Sequence, residues 1–153
     1  EIPAHTREVI CRHPLHARIS LIEGDSTDLR VVAQVAEAVA NRKPVLVILD
    51  SNHTRDHVAR ELECYAPLVT EGSYIVATDG IMKDIADVPR ASPQWKTDNP
   101  FAAASEFAAR HPEFLRQQPP WLSHDSPLTE NVTYWPGAWF QRVAPGGTPS
   151  GAE

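Results

Sequence analysis

Three apolar runs in this sequence end in acids. Residues 18–24 (RISLIEG) run into Glu23, Gly24 and Asp25; residues 45–50 (VLVILD) end in Asp50; residues 72–79 (GSYIVATD) end in Asp79. An acid in such a place often caps the following helix, and for Asp25 the cap and the ligand stand as equal readings. Asp50 and Asp79 each close a strand-like run directly. Two carboxylates at neighbouring strand ends repel one another unless a cation or a proton lies between them. Oxygen ligands of this hard kind favour Mg²⁺, Mn²⁺ or Ca²⁺ over zinc. Asp50 and Asp79 are therefore the candidate ligands of a divalent cation.

Three residues beyond Asp50 stands His53, whose imidazole can act as a base near neutral pH. Ser51 and Asn52 beside it offer polar contacts. His57, four residues further on, would share a helix face with His53 and reads as a solvated or helix-face histidine. Asp56 is a first-turn acid of the kind a helix dipole favours. Trp95 is placed to line a substrate mouth, whereas Trp121, Trp135 and Trp139 read as packing residues. Cys11, His13 and His16 offer too few ligands at zinc-like spacing for a structural site. Cys11 and Cys64 read as two free thiols in a reducing cytoplasm. A phosphate-binding loop, a nucleophile elbow and a paired CxxC are all absent from the sequence.

The elements that would position these residues alternate. Continuous Val- and Ile-rich runs suit strands buried on both faces, as in a parallel sheet. Residues 28–41 carry Val31, Val35, Ala38 and Val39 at helical spacing, with Asp25, Ser26 and Asp28 as candidate caps. Residues 54–65 repeat the pattern with Val58, Leu62 and Tyr65, and Pro67 ends it. Strand–helix–strand–helix–strand at this spacing predicts βαβ units. Residues 81–99 hold Pro89, Pro93 and Trp95 without a period and are expected to form a long surface loop of functional use. Asn99 and Pro100 mark the start of an Ala-rich helix over 101–111. Residues 131–135 and 138–143 are expected to pair as a hairpin across Pro136 and Gly137. Residues 144–153 have the Gly/Pro/Ser composition of a flexible tail.

The 153 residues suffice for one domain, taken as 1–143 plus the tail 144–153. A net charge of -6 argues against nucleic acid or an anionic membrane surface as partner, since both require a basic face. No apolar run reaches the length of a membrane span. Residues 1–12 are charged and lack the apolar stretch of a signal peptide; a start at Glu rather than Met is expected to reflect processing or truncation.

The stretches LIEGDSTD, VLVILDSNHTRDHVARELECYAPLVTEGSYIV and ATDGIMKD together resemble the family of cephalosporin hydroxylases and rhamnosyl O-methyltransferases. The resemblance is dense over residues 13–84 and continues weakly through DNPFAAASEFAARHPEF to WFQRV. It implies a partial Rossmann-like sheet of the S-adenosylmethionine (SAM) dependent methyltransferase type, mostly parallel, with a C-terminal antiparallel strand or hairpin. By resemblance, Asp50 and Asp79 are metal ligands for Mg²⁺ or another divalent cation. Glu23, Asp25, Ser26 and Asp50 fall on the cofactor side of the site. Asp25 and Ser26 match the place where such sheets contact the adenine of SAM, and His53 the place of the base. The chain departs from the family in having Thr78, Asp79 and Gly80 at the third metal position. The family's glycine-rich loop, and the acid that holds the ribose, are expected to lie upstream of Glu1, so the chain reads as the C-terminal part of such a domain. The implied activity is metal-assisted O-methyl transfer to a hydroxyl of a small molecule or sugar-bearing natural product in the cytoplasm. The other reading is a non-catalytic module that dimerises, or complements another chain, through an exposed sheet edge. A metal-dependent hydrolase ranks last, for want of a visible nucleophile.

Overall fold

A computed structural model describes residues 2–119 and 133–144. Trp121, part of the expected hairpin and nearly all of the expected tail lie outside the described residues. The chain divides into two compact units, Glu1–Asn41 and Arg42–Glu153.

The first unit carries helix α1 (Ala4–Arg12), a short 3₁₀ turn at His16–Arg18 and helix α2 (Leu29–Val39). Asp28 is the cap of α2: its Oδ1 accepts from the Arg30 amide at 2.8 Å. Val31, Val32, Val35, Ala36 and Val39 are half-buried, and the positions between them are exposed. Val31, Val35 and Val39 match the stripe the sequence predicts, whereas Ala38, expected on the same face, is exposed, and Val32 and Ala36 complete the face instead. The strand expected over 18–24 does not form. Residue 18 closes the 3₁₀ turn, and the following backbone pairs with no described strand. A strand exists through its ladder, so an apolar run without a partner remains an irregular segment. Gly24 (φ 149°) ends it; a Cβ there would lie 2.5 Å from Val31 Cγ2, so only glycine lets the chain pass this close to α2.

The second unit holds strand β1 (Val47–Leu49), helix α3 (Arg55–Tyr65), strand β2 (Tyr74–Ala77), helix α4 (Pro100–Arg110), and strands β3 (Phe114–Arg116) and β4 (Trp139–Arg142). The sheet order is β1-β2-β4-β3. β1 and β2 run parallel, with Leu49 opposite Ala77; β2–β4 and β3–β4 run antiparallel. The fold is mixed α/β, and the expectation of a mostly parallel sheet is corrected. Among the described residues the last segment does not pair with 133–135. It inserts beside β2 and carries β3 on its far side, and residues 133–137 form a bend leading into it.

β2 is buried on both faces, with Ile75 and Val76 wholly inaccessible. The β1 segment differs: Val45 and Leu49 are buried on one face, while Leu46 and Ile48, on the other, remain 50% and 52% exposed; β1 is the edge of the described sheet. α3 turns His57, Val58, Glu61, Leu62 and Tyr65 inward at helical spacing and packs on α4. Phe107 of α4 is fully buried at the centre, stacked on His111 at 4.2 Å and edge-on to Phe140. The surface loop expected over 81–99 is built of successive tight turns, with 3₁₀ segments at Gly80–Asp84 and Pro93–Lys96. Among the described residues no helix is long and apolar enough to cross a membrane.

Candidate functional site

β1 and β2 run side by side in the same direction, so the residues after each strand emerge at the same edge of the sheet. Asp50 follows β1 directly. Asp79 follows β2 by two residues and adopts a left-handed backbone (φ 54°), which an L-residue other than glycine or a short polar one rarely takes. Gly80, next to it, passes under Pro136, whose carbonyl would lie 3.0 Å from an added Cβ. Both turns aim their side chains at His53. Its Nε2 lies 3.3 Å from Asp50 Oδ1 and 3.2 Å from Asp79 Oδ2. One ligand atom from each of the three residues lies within 4.8 Å of the other two. His53 and Asp79 are half-buried and Asp50 is exposed, so the cluster is open to a ligand from solvent.

Thr78, buried between the strands, fixes one corner. Its hydroxyl sits 2.9 Å from Asp50 Oδ1 and 3.0 Å from the Leu49 carbonyl, as donor to either. Asn52 fixes another by accepting the Thr54 amide at 3.0 Å, an Asx turn leading into α3. The same turn presents Ser51 to the opposite side, toward α3. There Ser51 Oγ donates to Glu61 Oε1 at 2.7 Å and lies 3.2 Å from His57 Nε2. His57, read from sequence as a helix-face histidine, lies on the inward face of α3, which buries positions 57, 58, 61, 62 and 65 as one stripe. The contacts that Thr78 makes to Asp50 and Glu61 makes to Ser51 are not visible in the sequence. Each residue is paired with one 28 or 10 positions away, and only the folded register brings them together.

The donor set fits a hard divalent cation. Ligands about 2.1 Å from one octahedral ion lie about 3 Å apart when adjacent and about 4.2 Å apart when opposite. The spacings of 3.2 and 3.3 Å around His53 Nε2 match adjacent positions. Two carboxylates facing one point repel unless a cation or a proton lies between them, and His53 Nε2 stands at hydrogen-bonding distance from both. His53, read from sequence as the base, is brought into the same cluster as the two acids.

Glu23, Asp25 and Ser26 belong to the first unit. Glu23 is engaged at both oxygens, by the Ile2 amide at 2.6 Å and by Arg7 at 2.8 Å. The Ile2 amide, helped by the Arg7 guanidinium, holds its carboxyl below the ordinary range. Asp25 Oδ1 accepts from the Thr27 amide and hydroxyl, both at 2.8 Å, and stabilises the turn before α2 without capping it. A cavity of about 940 Å³ between residues 67–71 and 142–144 lies at the other end of the strands, away from the acids.

Relatives include the rhamnosyl O-methyltransferases of Mycobacterium bovis (strain BCG / Pasteur 1173P2) and Mycobacterium tuberculosis (strain ATCC 25618 / H37Rv), each 33% identical over 63 residues. That stretch is 40% of this chain and only 25% of each relative's length. No solved structure matches the chain. The model of one family, rhamnosyl O-methyltransferase/CmcI, matches residues 1–143, and the chain belongs to that family.

Proposed function

We propose that this chain carries the acceptor-activating half of a SAM-dependent O-methyltransferase acting on a hydroxyl of a small molecule or sugar. The observation that carries the reading is the convergence of Asp50, His53 and Asp79 at one sheet edge in a chain of this family. A partial Rossmann-like sheet is the fold that goes with it, and the parallel β1–α3–β2 unit supports that assignment.

Asp50 and Asp79 would hold Mg²⁺ or another divalent cation. When bound, such an ion supplies positive charge that lowers the pKa of a hydroxyl brought against it. SAM supplies an electrophilic methyl group on a sulfonium sulfur. The chain's own residues deal with the acceptor. His53 Nε2 takes the proton that leaves the hydroxyl, and the neighbouring carboxylates stabilise the imidazolium that results. One nitrogen cannot ligate an ion and accept a proton at once, so the proton role requires that His53 leave the ligand set. Thr78 keeps Asp50 Oδ1 in its orientation by donating to it. Asp25 and Ser26 are the proposed adenine contacts. Residues 81–99 are the proposed wall of the acceptor pocket; a cavity of about 520 Å³ lined by Lys83, Lys96 and Phe101 opens beside them. Most of the rate effect assigned to these residues is positioning and proton removal.

Calorimetric titration tests the reading. Saturable heat from Mg²⁺, abolished in Asp50→Ala, is the expected result, followed by saturable heat from SAM in the presence of the ion. Equal heats from the native chain and Asp50→Ala would overturn the metal assignment. A folded chain that gives no heat with SAM would overturn the donor assignment for this chain.

The exposed face of β1, with Leu46 and Ile48 uncovered on an edge strand, favours a second reading in which the chain dimerises or complements another chain there. Molar mass that rises with concentration supports it; a constant monomer mass sinks it.

A further inference from the structure

On the α3 side of the Asp50–His53 turn lies a polar cluster that methyl transfer leaves without a task. Ser51 Oγ donates to Glu61 Oε1 and meets His57 Nε2. The side chains of Glu61 and His57 are only 3% and 11% exposed. Glu61 Oε2 is buried with no hydrogen-bond partner. A carboxylate buried in this half-satisfied way is unfavourable in isolation, so the bonds that it does make carry its purpose.

The cluster is not built as a nucleophile. A serine relay sets the acid on one imidazole nitrogen and the hydroxyl on the other, with the hydroxyl hydrogen given to the imidazole. Here the Ser51 hydrogen goes to the Glu61 carboxylate at 2.7 Å and not to the imidazole, which Ser51 meets at 3.2 Å. The chain of donors is self-consistent with His57 carrying its proton on Nε2: His57 gives to Ser51, and Ser51 gives to Glu61. What the arrangement does is immobilise Ser51.

Ser51 is bonded to Asp50 on one side and to Asn52 on the other. Asp50 is held by Thr78, the residue that follows β2, and Asn52 by the start of α3. The clamp on Ser51 is the third restraint on the same short turn, and it comes from the buried face of α3. We propose that Ser51, His57 and Glu61 are positioning residues that fix Asp50 and His53 against Asp79, so that the two carboxylates and the imidazole stay converged before anything binds. The inference rests on the reading of Asp50, His53 and Asp79 as a cation and proton site, and it is tested so that the two can fail separately.

The probe is Mn²⁺, with affinity read by electron paramagnetic resonance, together with the ring signals of His53 in metal-free protein by NMR. Ser51→Ala is expected to weaken Mn²⁺ about 10-fold or more, as loss of an outer-shell partner typically does. Its His53 ring signals are expected to move, and Ser51→Thr, which restores a hydroxyl, to recover most of both effects. Glu61→Gln, similar in shape but a weaker acceptor, is expected to show the same changes in smaller measure, and it decides the matter if Ser51→Ala does not fold. Unchanged Mn²⁺ affinity in the variant overturns the proposal. If the native chain itself binds no Mn²⁺, the cation reading fails, and the ring signals alone decide: unmoved signals overturn the positioning role, and moved signals sustain it.

Discussion

Asp79 adopts a backbone conformation that most residues avoid. At φ 54° an L-residue places its Cβ against the following carbonyl, a strain that Asp partly offsets through its short polar side chain. The same carboxylate faces Asp50 across His53. Glycine at this position would remove both the steric strain and the repulsion between acids. Asp79→Gly is therefore expected to stabilise the fold by up to about 1 kcal/mol while abolishing divalent-cation binding. Parallel urea unfolding and Mn²⁺ titration check this pair of outcomes; a variant that is less stable would show that Asp79 contributes more through His53 than its strain takes away. The three members of the cluster are legible in the sequence because each lies at or just after the end of an apolar run, and chain direction sends such residues to one edge. Their supports are not legible. Thr78 reads as part of a strand and Glu61 as an ordinary helix acid, and both meanings come from register and helix phase.

Helix α4 shows an element whose start the sequence marks. Asn99 accepts the Ala102 amide at 2.9 Å and donates from Nδ2 to the Trp95 carbonyl at 2.7 Å, while Pro100 opens the first turn. Asn99 is also buried, so removing its side chain leaves both backbone groups without a partner inside the protein. Asn99→Ala should lower stability by about 2 kcal/mol, the sum of a lost cap and a lost buried bond. Asn99→Asp keeps the cap but loses the donor, and should fall between. Urea midpoints at constant slope check the order, and an alanine variant as stable as the native chain would refute it. Helices α2, α3 and α4 were readable because their signals are local, a cap, a period of 3.6 or a stop; α1, with no side-chain cap and no buried residue, was not read from the sequence. Strands were less readable because a strand needs a partner. Residues 18–24 have the composition of a strand and find none among the described strands, whereas Phe114–Arg116 are too few to show a period and become β3 by pairing with β4.

The two units differ in kind. Every buried residue among those described lies in the second unit, from Val45 onward, and none in the first. A helix without buried side chains has little to hold it beyond its own backbone bonds, and a helix of nine or eleven residues is marginal on that basis. Opening should therefore be graded along the chain. The amides of Ile75 and Val76 are expected to exchange hydrogen only through global unfolding, and those of α1 and α2 through local opening, orders of magnitude faster. Exchange measured at two protein concentrations gives this expectation a second use. Protection of α2 equal to that of β2 would contradict it, since the half-buried valine stripe would then have to be covered by something other than its own unit. If that protection, or protection along β1 at Leu46 and Ile48, grew with concentration, the cover would be a second copy of the chain, and the association reading would gain the support that the methyl-transfer reading takes from Asp50, His53 and Asp79.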